Sequence, residues 1–258
     1  DNIDLDAATE KGIMVVNSPE STSITVAEHT MGLLLTLARK LSIADKSVKE
    51  GKWEKKKFMG VELRKKTLGV IGLGAIGAMV ANLAIKFGME VIGYDPFLSI
   101  NAAWSLDHNV KHAETLDTVY AKADYITLHV PQTNDTKGMI NSTSIKTMKD
   151  GVRIINIARG GLVNNADMIA ALDSGKVSAL VTDFAAEEFL NHEKVICLPH
   201  LGASTPEAEE NCAVMACNQL RDFLENGNIV NSVNFPKTVV ENTIPSGGTR
   251  LCIAHKNV

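Results

Sequence analysis

A glycine-rich turn between an apolar strand and a helix carries the most specific chemistry in the sequence. Gly72, Gly74 and Gly77 form a G-x-G-x-x-G motif that follows the β-branched run 68–71 and opens a helical pattern ending before Gly88. The first glycine permits a tight turn, the second lets a pyrophosphate approach the backbone, and the third lets the helix pack against the sheet. Free amides at the start of that helix attract phosphate oxygens. An ordinary strand–helix turn is the alternative for the glycines alone.

A carboxylate at the end of the next strand completes a dinucleotide-binding pattern. Asp95 follows the predicted strand 90–94, eighteen residues after Gly77, where a carboxylate can accept hydrogen bonds from a ribose diol. The same charge repels a 2′-phosphate, and neither Pro96 nor Phe97 supplies an arginine to offset the repulsion. The sequence therefore predicts NAD rather than NADP as the cofactor.

An arginine on a second glycine-rich turn could hold a substrate. Arg159 follows the predicted strand 152–157 and precedes two glycines. Its planar guanidinium can bind a carboxylate through two parallel hydrogen bonds and can polarise an adjacent carbonyl. A surface ion pair is the alternative for an arginine that follows a strand.

One of the seven histidines is placed as a proton shuttle. His200 lies at the end of a short predicted strand, where histidine can accept or release a proton near neutral pH. His129 either lines the cofactor site or packs. A carboxylate beside His200 would fix its tautomer and favour its protonated form. Glu187 and Glu188 both follow Asp183 closely, and spacing alone does not decide between them.

The elements that carry these residues alternate between strand and helix. Helical patterns at 76–87, 113–121, 142–149 and 165–174 separate predicted strands at 68–71, 90–94, 125–130, 152–157, 177–181 and 195–198. This alternation predicts an α/β fold with a doubly wound parallel sheet, a Rossmann-like nucleotide-binding domain. Ligands of such sheets bind beyond the carboxyl ends of the strands, and Asp95, Arg159, Asp183 and His200 all fall at these ends.

The composition is that of an ordinary globular protein. Of the 258 residues, 45% are hydrophobic and 22% are charged, with a formal net charge of −4. We therefore expect no nucleic-acid partner, and no apolar run is long enough for a membrane span. The four cysteines lack metal-ligand spacing, so we expect reduced thiols, no metal and a cytoplasmic location.

Two segments before the glycine motif bear on partners. An apolar helical pattern at 24–40 is suited to packing between domains or subunits, and we expect a homodimer or a larger homo-oligomer. The segment 51–58 contains four lysines and two aromatic residues. It is either a solvated surface loop or a site for an anionic substrate.

Four motifs together resemble the D-2-hydroxyacid dehydrogenase family in order and approximate spacing. They are GLGAIG with Asp95, IARGG, Asp183 with Glu188, and PHLGAST, and the resemblance spans roughly residues 1–235. It implies that Arg159 binds the substrate carboxylate, that His200 is the acid/base and that Glu188 pairs with this histidine. The positions that it implies for NAD contact are Gly72, Gly74, Ala75, Ile76, Gly77, Asp95, Val130, Pro131, Ile157, Ala158, Arg159, Asp183, His200, Gly202 and Ala203.

The chain departs from the family pattern in the loop that carries Glu188. Phe189 stands where the family usually has proline after the acidic pair. Asp183 is followed by Phe184 and Ala185, where relatives often have Val-Phe. We therefore expect this loop to differ from that of its relatives.

Further segments bear on the reaction. NSPESTSITVAEHT, GKWEKKKFMG and LGASTPEAEEN resemble the branch of the family that oxidises 3-phospho-D-glycerate. The implied reaction moves a hydride from C2 of a small 2-hydroxy acid to NAD while the histidine takes the hydroxyl proton. A glyoxylate or hydroxypyruvate reductase of the same family is one alternative, and an NAD-sensing binding protein on the same fold is another.

The resemblance also implies a domain plan, because the family has a split substrate domain. Residues 1–16 correspond to a remnant of that domain, 17–204 to the NAD-binding domain, and 205–235 to the helix that returns to the substrate domain. Residues 236–258 correspond to a linker and the start of a truncated ACT-like regulatory domain. We expect the cofactor-binding core to fold and full activity to need the complete substrate domain.

Overall fold

In the computed structural model, which describes residues 3–239, a seven-stranded parallel sheet forms the centre of the unit that spans residues 23–204. In chain order its strands are β1 (Thr67–Ile71), β2 (Glu90–Tyr94), β3 (Lys111–His112), β4 (Tyr125–Leu128), β5 (Val152–Asn156), β6 (Val177–Thr182) and β7 (Val195–Cys197). Their order in space is β3-β2-β1-β4-β5-β6-β7. The predicted doubly wound α/β fold is confirmed.

Helices pack on both faces of this sheet. In this unit they are α2 (Ser23–Arg39), α3 (Leu41–Lys49), α4 (Ala75–Lys86), α5 (Ile100–Ser105), α6 (Leu116–Lys122), α7 (Ser142–Thr147) and α8 (Asn165–Ser174). One buried cluster joins α2 and α4 to the sheet, and a second cluster joins α6, α7 and α8 to it. The central strands are apolar because both of their faces are covered: all four residues of β4 are buried.

The chain reverses its direction across the sheet next to β1. From β1 it moves outward through β2 to β3, and it then returns to β4 on the other side of β1. The loops that leave β1 and β4 therefore diverge and open a crevice at the carboxyl edge. Dinucleotides bind at such a switch point in doubly wound sheets.

Within the described residues, 3–22 and 205–239 form a second unit. It contains α1 (Leu5–Glu10) and α9 (Pro206–Asn226), and Thr205 caps α9 through a hydrogen bond to the amide of Ala208. The apolar segment 13–16 forms no regular strand and has only an isolated antiparallel bridge between Val16 and Ser232. Most of the linker and regulatory segment expected at 236–258 lies outside the described residues.

The described part of the chain was also compared with what a membrane span and a metal site require. None of its helices combines the length and apolar character that a membrane span requires. No group of three or more His, Cys, Asp or Glu side chains within residues 3–239 is arranged to hold a metal ion.

Candidate active site

The glycine turn after β1 is closely packed at two positions and open at the third. Gly72 has a φ of +90°, and a Cβ at this position would lie 2.5 Å from the carbonyl oxygen of His129. A Cβ on Gly77 would overlap the carbonyl oxygen of Gly72, whereas a Cβ on Gly74 would meet no atom of residues 3–239 within 4 Å. Gly74 also begins α4 as its N-cap. The open position therefore lies at the helix N-terminus, which fits a bound pyrophosphate.

Backbone amides hold the carboxylate of Asp95 beside this turn. Its Oδ2 accepts a hydrogen bond of 2.9 Å from the amide of Leu73, and its Oδ1 accepts one of 2.9 Å from the amide of Phe97. The carboxylate is thus fixed at the end of β2, next to the residue that follows Gly72. This position fits a negatively charged acceptor for a ribose diol.

Residues that follow β4 form the facing wall of the crevice. The Nε2 atom of His129 lies 2.9 Å from Oγ1 of Thr127 in a hydrogen bond. Burial lowers the pKa of the partly buried His129 to about 4, so its imidazole is neutral near pH 7. The imidazole therefore lines the wall of the crevice and does not transfer protons. The Cγ1 atom of Val130 would lie 2.8 Å from a Cβ on Gly72. Pro131 follows and is exposed.

A buried asparagine shapes the turn that presents Arg159. The Nδ2 atom of Asn156, a residue only 1% exposed, donates a hydrogen bond of 2.9 Å to the carbonyl oxygen of Arg159. Its Oδ1 accepts one of 3.3 Å from the amide of Ala158. The guanidinium of Arg159 is exposed and donates to the carbonyl oxygen of Ala158. The sequence interpretation missed Asn156, although a polar residue ending an apolar strand was an available signal.

Asp183 leaves β6 with one carboxylate oxygen unpaired. The residue is 4% exposed, and Oδ2 accepts a hydrogen bond of 3.2 Å from the amide of Gly202. Oδ1 is buried and has no hydrogen-bond partner among the residues that the structure describes. Buried polar atoms are almost always paired in proteins, so this oxygen fits a donor supplied by a ligand, such as the carboxamide of a nicotinamide.

The predicted pair between His200 and Glu188 is not formed in this structure. His200 is exposed, has a φ of +57°, and makes an edge-to-face contact with Phe184 at a centroid distance of 5.1 Å and an interplanar angle of 76°. Glu188 lies exposed on the 3₁₀ turn Glu187–Phe189. Within the described residues, neither Glu187 nor Glu188 has a hydrogen bond or ion pair with His200. The turn is anchored by the buried Phe189 and leaves both carboxylates in solvent.

The predicted cofactor positions all lie in the same unit, beyond the carboxyl ends of β1, β2, β4, β5, β6 and β7. Ala75 and Ile76 begin α4, Ile157 is buried after β5, and Ala203 follows Gly202. The structure brings Gly72 against His129 and Val130, and it joins Asp183 to Gly202. In the described part of the chain, the side chains of Arg159 and His200 have no polar partner on another residue's side chain.

The family comparison agrees with this geometry. Residues 31–202 match the family described as "D-isomer specific 2-hydroxyacid dehydrogenase, NAD binding domain". The D-3-phosphoglycerate dehydrogenase of Synechocystis sp. is 43% identical over 242 residues, which cover 92% of this chain and 43% of that protein. The D-3-phosphoglycerate dehydrogenase of Archaeoglobus fulgidus is 44% identical over 243 residues, covering 92% of this chain and 46% of that protein. The chain spans less than half the length of these relatives.

Solved structures show the same fold. A glyoxylate reductase from Paecilomyes thermophila matches with a TM-score of 0.80 and 31% identity, covering 90% of this chain and 72% of that one. A D-lactate dehydrogenase from Aquifex aeolicus, complexed with NAD and lactic acid, matches with a TM-score of 0.76 and 32% identity over 92% of this chain and 78% of that one. Because the family match covers more than half of its residues, the chain belongs to the D-isomer-specific 2-hydroxyacid dehydrogenases and carries their NAD-binding domain.

Proposed function

We propose that the chain supplies the NAD site and the reacting side chains of a dehydrogenase that oxidises 3-phospho-D-glycerate to 3-phosphohydroxypyruvate, the first step of serine biosynthesis. One observation carries the dehydrogenase part of this proposal. β5, β6 and β7 are neighbours in the sheet, and Arg159, Asp183 and His200 follow them in that order. A carboxylate clamp, a cofactor anchor and a proton acceptor are thereby brought to one edge.

In this proposal, several residues at this edge bind different parts of the cofactor. The amides at the start of α4 hold the pyrophosphate, Asp95 accepts from the adenosine ribose, and Oδ1 of Asp183 accepts from the nicotinamide carboxamide. The remaining cofactor contacts belong to the wall residues Val130, Pro131, Ile157, Ala158, Gly202 and Ala203. NAD, when bound, accepts the hydride from C2 of the substrate.

Two side chains act on the substrate in this proposal. The guanidinium of Arg159 binds the carboxylate of the 2-hydroxy acid. The neutral imidazole of His200 takes the proton of the C2 hydroxyl as C2 loses its hydride, so that a 2-oxo acid leaves and the histidine carries the proton. A role for Glu188 on this histidine would require the turn Glu187–Phe189 to move, since the two side chains do not pair here.

The choice of substrate rests on the relatives. Curated proteins named D-3-phosphoglycerate dehydrogenase are 41–44% identical to this chain over 91–92% of its length, whereas the solved structures include a glyoxylate reductase. In the domain assignment that we propose, residues 17–204 bind NAD, and residues 1–16 and 205–235 contribute to the substrate domain. Contacts that select the phosphate then come from that second domain.

A homodimer is part of this proposal. Large apolar side chains are exposed on α3 and on the loop that follows it: Leu41, Ile43, Val48, Trp53 and Met59. Large exposed apolar side chains mark protein–protein contact sites where they lie together, and a second copy of the chain is the partner that we propose. We expect a dimeric mass in light scattering, and Trp53→Ser should shift the protein toward the monomer.

Turnover by the complete gene product tests the function. We would follow NADH consumption with phosphohydroxypyruvate, hydroxypyruvate and glyoxylate in parallel, and we expect a strong preference for the phosphorylated acid. Equal or better use of glyoxylate would make the protein a general reductase. Binding of NADH without turnover of any of the three would favour a binding protein. His200→Ala should abolish turnover, and wild-type turnover in this variant would exclude His200 as the acid/base.

A further inference from the structure

Phe184 provides the aromatic contact of His200. The two rings meet edge to face, with centroids 5.1 Å apart and planes inclined by 76°. Edge-to-face pairs of this kind have a preferred geometry because the ring edge is electropositive and the ring face electronegative. His200 has no hydrogen bond or ion pair through its imidazole within the described residues. The contact with Phe184 is therefore the directional interaction that bears on the orientation of the imidazole.

The backbone of Phe184 is itself fixed. Its amide donates a hydrogen bond of 3.1 Å to Oγ1 of Thr182, a side chain that is 3% exposed at the end of β6. The amide of Asp183 donates to the carbonyl oxygen of Asn156, the residue that also shapes the Arg159 turn. Phe184 thus follows two residues that are anchored to the neighbouring strand.

Phe184 also touches the turn that presents the proposed substrate clamp. A Cβ on Gly160, the residue after Arg159, would lie 3.1 Å from the Cβ of Phe184. The Phe184 side chain therefore contacts both the Arg159 turn and the imidazole of His200. A single side chain links the two groups that the reaction must hold at a fixed separation.

A cavity of about 340 Å³ adjoins this loop, and Phe184 lines it together with Ala185, Ala186 and Phe189. The Phe184 side chain therefore borders open space as well as the imidazole of His200.

We propose that Phe184 is a positioning residue for His200 and that its ring holds the imidazole at a fixed distance from the Arg159 turn. This inference rests on the proposed acid/base function of His200. It assigns no contact with substrate or cofactor to Phe184, which acts through the histidine.

Nuclear magnetic resonance of His200 tests the contact without reference to activity. We expect Phe184→Leu to remove the ring-current shift of the His200 imidazole protons. Phe184→Met is a second variant, because methionine fills irregular space without a ring. It keeps the test possible if the Phe184→Leu protein fails to fold. Phe189→Leu is the matched control, since Phe189 lines the same cavity but is not in ring contact with His200. Equal His200 spectra in the Phe184 variants and the wild type would overturn the proposal.

Kinetics of the complete protein test the consequence. We expect Phe184→Leu to lower kcat about two- to tenfold, the factor that corresponds to one aromatic pair, with an unchanged KM because the Cβ contact with the Arg159 turn is retained. Phe184→Tyr should restore kcat, and Phe189→Leu should leave it near the wild-type value. A wild-type kcat in Phe184→Leu would refute the positioning role even if His200→Ala is inactive. An active His200→Ala protein would instead refute the proposed function.

Discussion

The amide of Gly202 donates a hydrogen bond to Oδ2 of Asp183, and Oδ1 of the same buried carboxylate has no partner within residues 3–239. An unpaired buried oxygen costs free energy, and the cost is larger when the group is charged. The unpaired oxygen lies at the carboxyl edge of the sheet, where a cofactor binds in this fold. The free energy of unfolding is therefore lower than it would be with an apolar or neutral group, which is expected where a site is preformed for a ligand.

Asp183→Asn should stabilise the ligand-free protein and weaken its binding of NADH. The asparagine oxygen can still accept from Gly202, while an uncharged NH₂ group replaces the unpaired oxygen. We expect the Tm to rise by about 2–4 °C, the shift that 1 kcal/mol gives at this size, and the Kd for NADH to rise about tenfold, since a donor then faces the carboxamide. Scanning fluorimetry and NADH fluorescence measure the two effects. Asp173→Asn, at a 69% exposed carboxylate, is the control, and an unchanged Kd in Asp183→Asn would contradict the assignment.

Two glycine substitutions in one turn should separate folding from cofactor binding. Gly77→Ala places a methyl group on the carbonyl oxygen of Gly72, so we expect it to destabilise the fold by about 1–3 kcal/mol, as overpacking does. Gly74→Ala meets no protein atom within 4 Å, and the φ of −67° at Gly74 suits alanine. We expect Gly74→Ala to keep the wild-type Tm and to lose NADH affinity, because its methyl group lies where the pyrophosphate approaches.

Urea unfolding and NADH titration of both alanine variants check this pair. Gly32→Ala is a control for substitution within a helix, since a Cβ at Gly32 also meets no atom within 4 Å. Tight NADH binding by a folded Gly74→Ala protein would show that the pyrophosphate does not approach this position.

Local patterns were sufficient to predict the elements that build the cofactor crevice. β2 (Glu90–Tyr94) and α8 (Asn165–Ser174) have the predicted ends, and β1 and α4 differ from the prediction by one residue at their ends. A strand buried on both faces is continuously apolar, and Gly88 has a φ of +73°, which glycine adopts without strain. The signals for these elements are therefore local in the sequence.

Elements that depend on distant partners were missed. β3 has only two residues, Lys111 and His112, both exposed, and it is a strand because it pairs with Ile92 and Gly93 of β2. The predicted strand 125–130 ends at Leu128, where pairing with β1 and β5 stops. No local pattern encodes such pairing.

The sequence indicated which residues to propose for the site, but it indicated their side-chain contacts only in part. The sequence placed Asp95, Arg159, Asp183 and His200 at one edge, and the structure has them there. The pairing of His200 with Glu188 depends on the conformation of an irregular loop, in which Phe189 is buried and Phe184 lies against His200. Side-chain contacts of that kind follow from packing, which spacing along the chain does not report.

Replacement of Asp95 should relax the choice between cofactors. Two backbone amides fix its carboxylate beside the glycine turn, so its charge is held where a 2′-phosphate would lie. We expect Asp95→Ser to weaken NADH binding about tenfold or more, since hydrogen bonds to a charged group contribute about 1.5–3 kcal/mol, and to strengthen NADPH binding. Fluorescence titration with both cofactors gives the ratio of the two Kd values.

The control for Asp95 is Asp107→Ser. Asp107 also accepts a backbone amide hydrogen bond two residues ahead, from Asn109, but it follows α5 rather than a strand end. Its substitution should leave the ratio of Kd values unchanged. Retention of the wild-type NADH preference in Asp95→Ser would show that another group excludes the 2′-phosphate.

The imidazole of His129 should make the stability of the protein depend on pH. Burial lowers the pKa of His129 to about 4 from the ordinary value of 6.5. Between these values the unfolded chain binds a proton that the folded chain does not, so the free energy of unfolding falls as the pH drops from about 6.5 to about 4. Above pH 6.5 the contribution is constant. Because His129 keeps some contact with solvent, we expect a loss of about 1–2 kcal/mol rather than the limit of about 3 kcal/mol for the full pKa difference.

His129→Gln tests this pH dependence, because glutamine can still form a hydrogen bond with Thr127 but does not titrate. Urea unfolding at pH 7.5 and at pH 5 should show a smaller drop in stability for His129→Gln than for the wild type. His108→Gln is the matched control, since the His108 side chain is 90% exposed and should leave the drop unchanged. An equal drop in all three proteins would mean that His129 is protonated in the folded state, and its imidazole would then carry a positive charge into the wall of the cofactor crevice.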